Sequence, residues 1–422
     1  MDAFISRKMS TVTAEVGERE TTVVVGGGQA GFAFSAKLRE LGYPGRIVLI
    51  GDEKHPPYQR PPLSKAYLLG ETTVERLQFR PEQFYANNGI ELRLSTRVLS
   101  VSRDHRSVTL SDGGTLSYDH LVFATGARPR RLPNEIGGGL ASVHYMRTLD
   151  DADSLAAVCR GGRELLVVGG GYIGLEAAAV ARKLGAQVTL IEAAPRILQR
   201  VASPETASYF RALHRRHGVD LREGVGLAGL TEAGGRIAGA KLTDRSTVQV
   251  DLVVVGIGVV PNQELAVDAA LRCDNGIVVD AFCRTGDPRI MAVGDCASIP
   301  LDDALIRLES VGHAIEHAQT AASILMGSDQ SYRPNPWFWS DQFDVKLQIA
   351  GLLTGYDRVV TRGAAPGPTS HWYYFGDRLL AVDAMNDPRA YMIGKKLIQA
   401  GRSPRPETIV DPAVDLKSLL AA

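Results

Sequence analysis

A phosphate-cradling pattern occurs twice in this chain, as Gly26-Gly27-Gly28-Gln29-Ala30-Gly31 and as Gly169-Gly170-Gly171-Tyr172-Ile173-Gly174, each directly after an apolar run. In such a pattern the first glycine permits a tight turn and the second lets backbone N–H groups approach a pyrophosphate. The third lets the following helix pack close on its strand. The context suits both copies: 22–25 and 165–168 read as buried strands, and 33–41 and 177–184 read as helices. The expected fold class is therefore α/β, with two Rossmann-like units in one polypeptide and two bound dinucleotides.

Charge and composition narrow the partners. Lys plus Arg and Asp plus Glu both number 47 in 422 residues, so no global field recruits nucleic acid or an anionic membrane. The longest apolar stretches lie in the glycine motifs and are interrupted by Glu176, so no membrane span is expected. Residues 1–20 are polar and charged, lack the apolar segment of a secretory signal, and read as a flexible tail, which favours a cytoplasmic location. Four cysteines, Cys159, Cys273, Cys283 and Cys296, show no C-x-x-C spacing, which argues against a dithiol–disulfide centre. The histidines are dispersed, and no metal site is expected.

Turn signals and apolar runs divide the chain. A strand at 46–50 follows the first helix, and runs at 90–94 and 107–110 read as an antiparallel insert before the strand at 121–124. A second unit follows, with a strand at 187–192, and the chain returns to the first near 252–258. The expected organisation is a discontinuous first domain at 21–126 and 256–333, a second domain at 127–255 inserted within it, and a C-terminal α+β domain at 334–422.

Further segments name a family. Pro57-Tyr58-Gln59-Arg60-Pro61-Pro62-Leu63-Ser64-Lys65, Ala124-Thr125-Gly126, Gly294-Asp295, Glu309-Ser310-Val311 and Trp337-Phe338-Trp339-Ser340-Asp341-Gln342 follow one another in fixed order. Together with both glycine motifs they resemble the FAD-dependent ferredoxin reductases of bacterial oxygenase systems, the putidaredoxin reductase-like branch of the glutathione-reductase-fold flavoproteins, from residue 21 to about residue 416. The resemblance implies FAD in the first domain, NADH in the insert and a C-terminal domain behind the flavin. It also implies an acidic [2Fe-2S] ferredoxin docking near the flavin and the C-terminal domain and a haem-thiolate or Rieske oxygenase downstream; the sequence leaves a monomer and a weak dimer both open.

The resemblance also assigns residues. Lys65 reaches the flavin, Glu176 lies beside it at the nicotinamide slot, Tyr172 covers the flavin until nicotinamide displaces it, and Trp339 stands on the far side, toward the ferredoxin. Implied cofactor-binding positions are Gly26, Gly28, Ala30, Gly31, Asp52, Arg60, Lys65, Val98, Thr125, Gly126, Arg147, Asp295 and Val311, with Gly169, Gly171, Tyr172, Ile173, Gly174, Glu192 and Gly258. The helix that starts near Val311 is expected to point its N-terminus at the flavin. Where most relatives have an Asn two positions after that valine, this chain reads Gly312-His313, so His313 is either a titrating neighbour of the flavin or, the favoured reading, a neutral packed side chain.

Residue chemistry adds to this. Glu192 follows the second motif at the end of its strand, where a carboxylate accepts hydrogen bonds from both adenosine ribose hydroxyls and repels a 2′-phosphate. NADH is thus favoured over NADPH, with Arg196 close enough to leave the second open. In the first motif Gly51 occupies the equivalent strand end, so the ribose carboxylate shifts to Asp52, with Glu53 as second candidate. Arg307, Lys346, Arg358, Arg362, Lys395 and Lys396 are candidate basic residues for docking. Two other readings remain: an NADH oxidase or rubredoxin-type reductase, and a redox sensor resembling apoptosis-inducing factor.

Overall fold

The computed structural model describes residues 20–421 apart from 160 and 235, so the tail expected at 1–20 lies, except for Glu20, outside the described residues. Two five-stranded parallel sheets carry the two glycine motifs. The first runs Ile290–Ala292, His120–Phe123, Thr21–Val25, Arg46–Ile50, Ile90–Arg93 across its width, and the second runs Val143–His144, Leu252–Val255, Glu164–Val168, Gln187–Glu192, Asp220–Glu223. In each, the motif strand is central and buried on both faces, which explains why apolar residues follow one another without alternation at 23–25 and 165–168. The registers coincide as well. Val25 lies opposite Ile50 and Phe123, as Val168 lies opposite Ile191 and Val255. Each motif then begins with its first glycine N–H donating to the neighbouring strand, Gly26 to Ile50 and Gly169 to Ile191, both at 2.8 Å.

The run at 90–94 is corrected by this topology. Ile90–Arg93 is the parallel edge strand of the first sheet, pairing Ile47 with Ile90, and does not belong to the antiparallel insert. That insert is a three-stranded meander of Val98–Ser102, Ser107–Leu110 and Thr115–Ser117. A short run shows which side chains face inward but not which strand it will pair with, so its direction was not legible.

The chain passes between the first two sheets through a paired ribbon. Ala127–Pro129 leads out and Val259–Pro261 leads back, antiparallel to each other. The C-terminal sheet is antiparallel throughout, in the order Trp337–Gln342, Val345–Gly351, Arg378–Met385, Thr369–Phe375, Arg358–Gly363. One face packs Trp372 and Val382 against the helix Pro388–Gln399. The other packs Leu347, Ile349 and Met385 into a core shared with Leu175, Phe210 and Leu213 of the second domain. Among the described residues no helix is long and apolar enough to cross a membrane.

Candidate active site at the meeting of two glycine cradles

Among the described residues six helices have ten or more residues, and four of them begin with a side-chain cap: Thr148, Ser203, Ser310 or Asp387 accepts a hydrogen bond from a first-turn N–H. The two that lack one are Gln29–Glu40 and Tyr172–Lys183, which start at Gly28 and Gly171 and have no acidic residue in the first turn. An uncapped helix start leaves several N–H donors and the positive end of the helix dipole facing outward, which is the arrangement that binds a phosphate. Close packing accounts for the glycines: a Cβ on Gly31 would overlap the carbonyl of Gly26, and one on Gly174 the carbonyl of Gly169. Gly28 differs, since nothing lies within 4 Å of a Cβ built there.

In the second cradle Glu192 turns toward the glycines, accepting from the N–H of Gly170 and of Ala194, both at 2.7 Å. Arg196 is tied down. Its guanidinium donates to the carbonyls of Ala202 at 2.9 Å and Gln199 at 3.3 Å, and more distantly to Ile197 and Ser203. Ile173 stands exposed at this mouth, and Gly258 adopts φ +99° on the return strand, close to Arg200.

Beside the first cradle, Arg60 donates to Glu53 at 2.6 Å and to the carbonyl of Arg147 at 2.8 Å. The Arg147 guanidinium lies 3.7 Å from Asp295. Burial pushes the Asp295 carboxyl up from its ordinary range, opposed by the charges of Arg147, Arg307 and Arg60. Thr125 and Gly126 are pinned by Asn262, which donates to the Thr125 carbonyl and whose own carbonyl accepts from the Thr125 hydroxyl. Val98 is buried in the core beneath the motif, with Val25 and Ile50. Asp52 is exposed and pairs with Arg97 at 3.1 Å, while Glu53 is occupied by Arg60 and Tyr58.

The two cradles converge where three domains meet. Lys65 Nζ lies 2.9 Å from Glu176 Oε1. Ser64 donates to Oε2 at 2.9 Å, and Ser340 of the C-terminal sheet donates to Oε1 at 2.7 Å. Burial raises the pKa of Glu176, whereas the Lys65 charge and the two hydroxyls draw it down. A cavity of about 380 Å³ opens next to the pair, lined by Gln29, Pro61, Lys65, Val311, Trp339 and Phe343 among others. Lys65 also sits 5.9 Å from the Trp339 ring centroid, Trp339 stacks on Trp337, and Tyr172 packs on Phe338 with ring centroids 4.7 Å apart.

The chain matches the family model described as pyridine nucleotide-disulphide oxidoreductase over residues 20–323, and a reductase C-terminal model over 337–420. It belongs to that oxidoreductase family. Within it, the chain is similar to rhodocoxin reductase of Rhodococcus erythropolis, 44% identical with 94% of both chains covered. It is also 42% identical to putidaredoxin reductase of Pseudomonas putida, covering 96% of this chain and 97% of the relative. Among solved structures, the covalent putidaredoxin reductase–putidaredoxin complex superposes with a TM-score of 0.92 at 42% identity, covering 95% of this chain and 98% of that one. The ferredoxin reductase for the CYP199A2 system from Rhodopseudomonas palustris superposes equally well, at 43% identity and with 96% of this chain and all of that one covered. The chain is thus a putidaredoxin reductase-like ferredoxin reductase in sequence and fold.

The family uses FAD and NAD(H), and the residues present fit two dinucleotides: two uncapped helix starts, open space before Gly28, and a half-buried Asp295 held between arginines. Despite the family's name, all four cysteines are free and no cysteine lines the cavity. Burial keeps the Cys159 thiol protonated, its pKa pushed up to about 11.

His313 is the neutral, packed side chain of the favoured reading, while several docking candidates are placed differently. His313 is 2% exposed, bonded through Nδ1 to the Tyr332 hydroxyl at 2.8 Å, and burial holds its pKa down to about 4, so it is neutral. The helix Val311–Leu325 already uses one cap, with the Ser310 hydroxyl accepting from the His313 N–H. Two docking candidates are removed. Arg307 is buried against Glu309, and Arg362 clamps the carbonyls of Ile409, Asp411 and Val414. Arg358 sits on the sheet edge farthest from Trp339. Sequence reasoning quoted Ser340 and Gln342 but gave them no task. Their signal was present: polar residues two apart on a strand share a face, and here both are fully buried.

Two substitutions in the first motif separate packing from ligand binding. Gly31→Ala should lower stability by about 1–3 kcal/mol, because the overlapped carbonyl belongs to the same turn. Gly28→Ala should leave the melting temperature of the apoprotein unchanged yet weaken FAD retention; equal loss of stability in both would show that Gly28 is only a packing residue.

Lys65→Met keeps the stem and removes the charge, stranding a buried carboxylate at a cost of about 3–5 kcal/mol. Glu176 already has a raised folded-state pKa and loses its only counter-charge, so protonation in the folded state relieves the deficit as pH falls. Denaturant melts should show the gap from wild type widest at about pH 8 and narrowing toward about pH 5. A gap independent of pH would mean that Glu176 carries no charge in the fold.

Proposed function

We propose that this chain is an NADH-dependent flavoprotein reductase that passes electrons from NADH through FAD to a [2Fe-2S] ferredoxin, which supplies a haem-thiolate monooxygenase or a Rieske oxygenase. The observation that carries this is the convergence of two phosphate cradles on one buried Lys65–Glu176 pair beside a cavity that contains no thiol. The first cradle takes FAD and the second NADH. FAD supplies the conversion from two-electron hydride acceptance to one-electron delivery. The protein's own residues supply binding and electrostatics. Gly26–Gly31 and the uncapped helix Gln29–Glu40 hold a pyrophosphate, Asp295 offers an acceptor beside it, and Lys65 keeps a positive charge at the cavity wall, fixed in place by Glu176. Tyr172 packs on Phe338 of the C-terminal sheet.

Reductant choice rests on Glu192. Its carboxylate is oriented by two backbone N–H groups and still has lone pairs for ribose hydroxyls, while Arg196, the nearby cation that a 2′-phosphate needs, is engaged with main-chain carbonyls. Four free thiols and NADH as donor support a cytoplasmic location.

For the partner, the reading is an acidic ferredoxin approaching where the C-terminal domain meets the flavin cavity. Lys395 lies 4.9 Å from the Trp337 ring centroid, Trp337 stacks on Trp339, and Trp339 lines the cavity. This gives a short, aromatic and positively charged approach, and Lys396 is exposed one residue further along the same helix.

With a non-physiological acceptor, kcat/KM for NADH should exceed that for NADPH by at least about 10-fold, the effect of one repulsion of about 1.4 kcal/mol. Glu192→Ala should narrow the ratio; equal efficiencies in the wild type would reject the assignment.

Ferredoxin reduction should slow as salt rises from about 50 to about 300 mM, while hydride transfer from NADH changes little. If a Lys395/Lys396 double alanine variant reduces ferredoxin at wild-type rate and with wild-type salt dependence, the partner docks elsewhere.

A further inference from the structure

We propose that Ser340 and Gln342 are positioning residues for Glu176: with His214 they form a buried, directional hydrogen-bond relay that holds this carboxylate ionised beside Lys65. The inference rests on the reading that Glu176 stands at the hydride-transfer site.

The relay has three links. His214 Nε2 lies 2.8 Å from Gln342 Oε1, Gln342 Nε2 lies 3.1 Å from Ser340 Oγ, and Ser340 Oγ lies 2.7 Å from Glu176 Oε1. His214, Gln342 and Ser340 are all 0% exposed. The path starts on the helix Pro204–Arg216 of the second domain, crosses the strand Trp337–Gln342, and returns to the same domain at the helix Tyr172–Lys183.

Its direction follows from the number of hydrogens. An ionised carboxylate only accepts, so the single Ser340 hydrogen goes to Glu176. The Ser340 oxygen then accepts from the Gln342 amide N–H, which turns the Gln342 carbonyl toward His214. His214 must therefore carry its hydrogen on Nε2. Every donor in the chain points toward Glu176, and aligned hydrogen bonds of this kind polarise one another.

A proton on Glu176 Oε1, the oxygen that Ser340 bonds, would reverse all of this. Its O–H would donate to Ser340, Ser340 to the Gln342 carbonyl, and the Gln342 amide to His214 Nε2, moving the imidazole hydrogen to Nδ1. Nδ1 is buried with no hydrogen-bond partner. An orphaned acceptor is tolerated in a protein interior better than an orphaned donor, so the far end of the relay favours the forward direction, in which Oε1 carries no proton and the Ser340 hydrogen is donated to it. Burial holds His214 down to a pKa of about 4, so it does not become a cation that would donate at both nitrogens. The groups that face Glu176 are Lys65 and the hydroxyls of Ser64 and Ser340, and Lys65 is the one charge among them.

The test is made on the FAD-loaded protein. The Glu176 carboxyl is titrated by infrared difference spectroscopy against Glu176→Gln, in parallel with the pH dependence of flavin bleaching by NADH. Ser340→Ala should raise the carboxyl's apparent pKa by about one unit, a tenfold gain in proton affinity for one lost charge-assisted hydrogen bond. Gln342→Met should raise it in the same direction by less, and His214→Phe, which removes the far donor, offers a second route to that shift. The acid limb of the bleaching profile should move with the infrared value, and Ser340→Thr, which keeps the hydroxyl, should restore both. Unmoved titrations in variants with wild-type FAD content and melting temperature would overturn the proposal. A shift in Ser340→Ala alone would overturn the parts assigned to Gln342 and His214. Should NADH fail to bleach the wild-type flavin, the functional reading fails instead, and the infrared titration still decides the relay.

Discussion

The Glu176 carboxylate is the point on which the three domains agree. It sits one turn into the helix that the second glycine motif begins, yet its bonds come from Ser64 and Lys65 of the first domain and from Ser340 of the C-terminal sheet. Burying a charged pair costs several kcal/mol in desolvation, and a hydrophobic replacement is often as stable. What such a pair offers is geometry: only one relative placement of the domains gives this carboxylate its partners. Rotating any domain would leave a buried charge with missing donors. The cavity beside the pair is shaped by elements of all three domains and inherits that constraint.

A second asymmetry explains how the two ligand sites can be open at all. Most long helices here close their N-termini with a side chain, as Ser203 and Asp387 do. The two motif helices cannot, because glycine, which has no side chain, occupies the capping positions Gly28 and Gly171, where a built Cβ meets almost nothing and the space stays open. Tight packing and an unsatisfied helix end thus come from different glycines of one motif. The third glycine lets the helix lie close on its strand, and the glycine at the cap keeps the first-turn N–H groups free for a phosphate.

Much of this was legible from the chain. Glycines at fixed spacing after apolar runs carry their own geometry, whereas Lys65 and Glu176 were brought together only by the family resemblance. What escaped depends on partners distant in sequence. Ile90–Arg93 looks the same whether its neighbour is parallel or antiparallel. Arg307 and Arg362 have the composition of surface charge, and only the fold shows that their guanidinium groups are occupied by Glu309 and by main-chain carbonyls. Ser340 and Gln342 stood in the Trp337–Gln342 segment that carries the family resemblance, with no task assigned to them. Their meaning required His214, which stands 128 residues from Gln342.

The departure at Gly312-His313 is also answered by packing. A Cβ on Gly312 would run into the Trp337 indole, so the glycine makes room for the Trp337–Trp339 stack against the helix Val311–Leu325. His313 and, one turn on, His317 face inward to Tyr332, whose ring stacks on His317. His317 Nδ1 accepts from the Gly294 N–H at 3.3 Å. Gly294 has φ +73°, and a Cβ there would press on Ala30 of the first motif, so the residue before Asp295 is fixed from both sides. That hydrogen bond needs a lone pair on His317, which an imidazolium lacks. Burial, reinforced by the neighbouring His313, holds His317 well below its ordinary pKa and so preserves it. The two imidazoles therefore act as neutral polar braces for the Gly294–Asp295 turn, and the positive charge beside that turn comes from Arg147, Arg307 and Arg60.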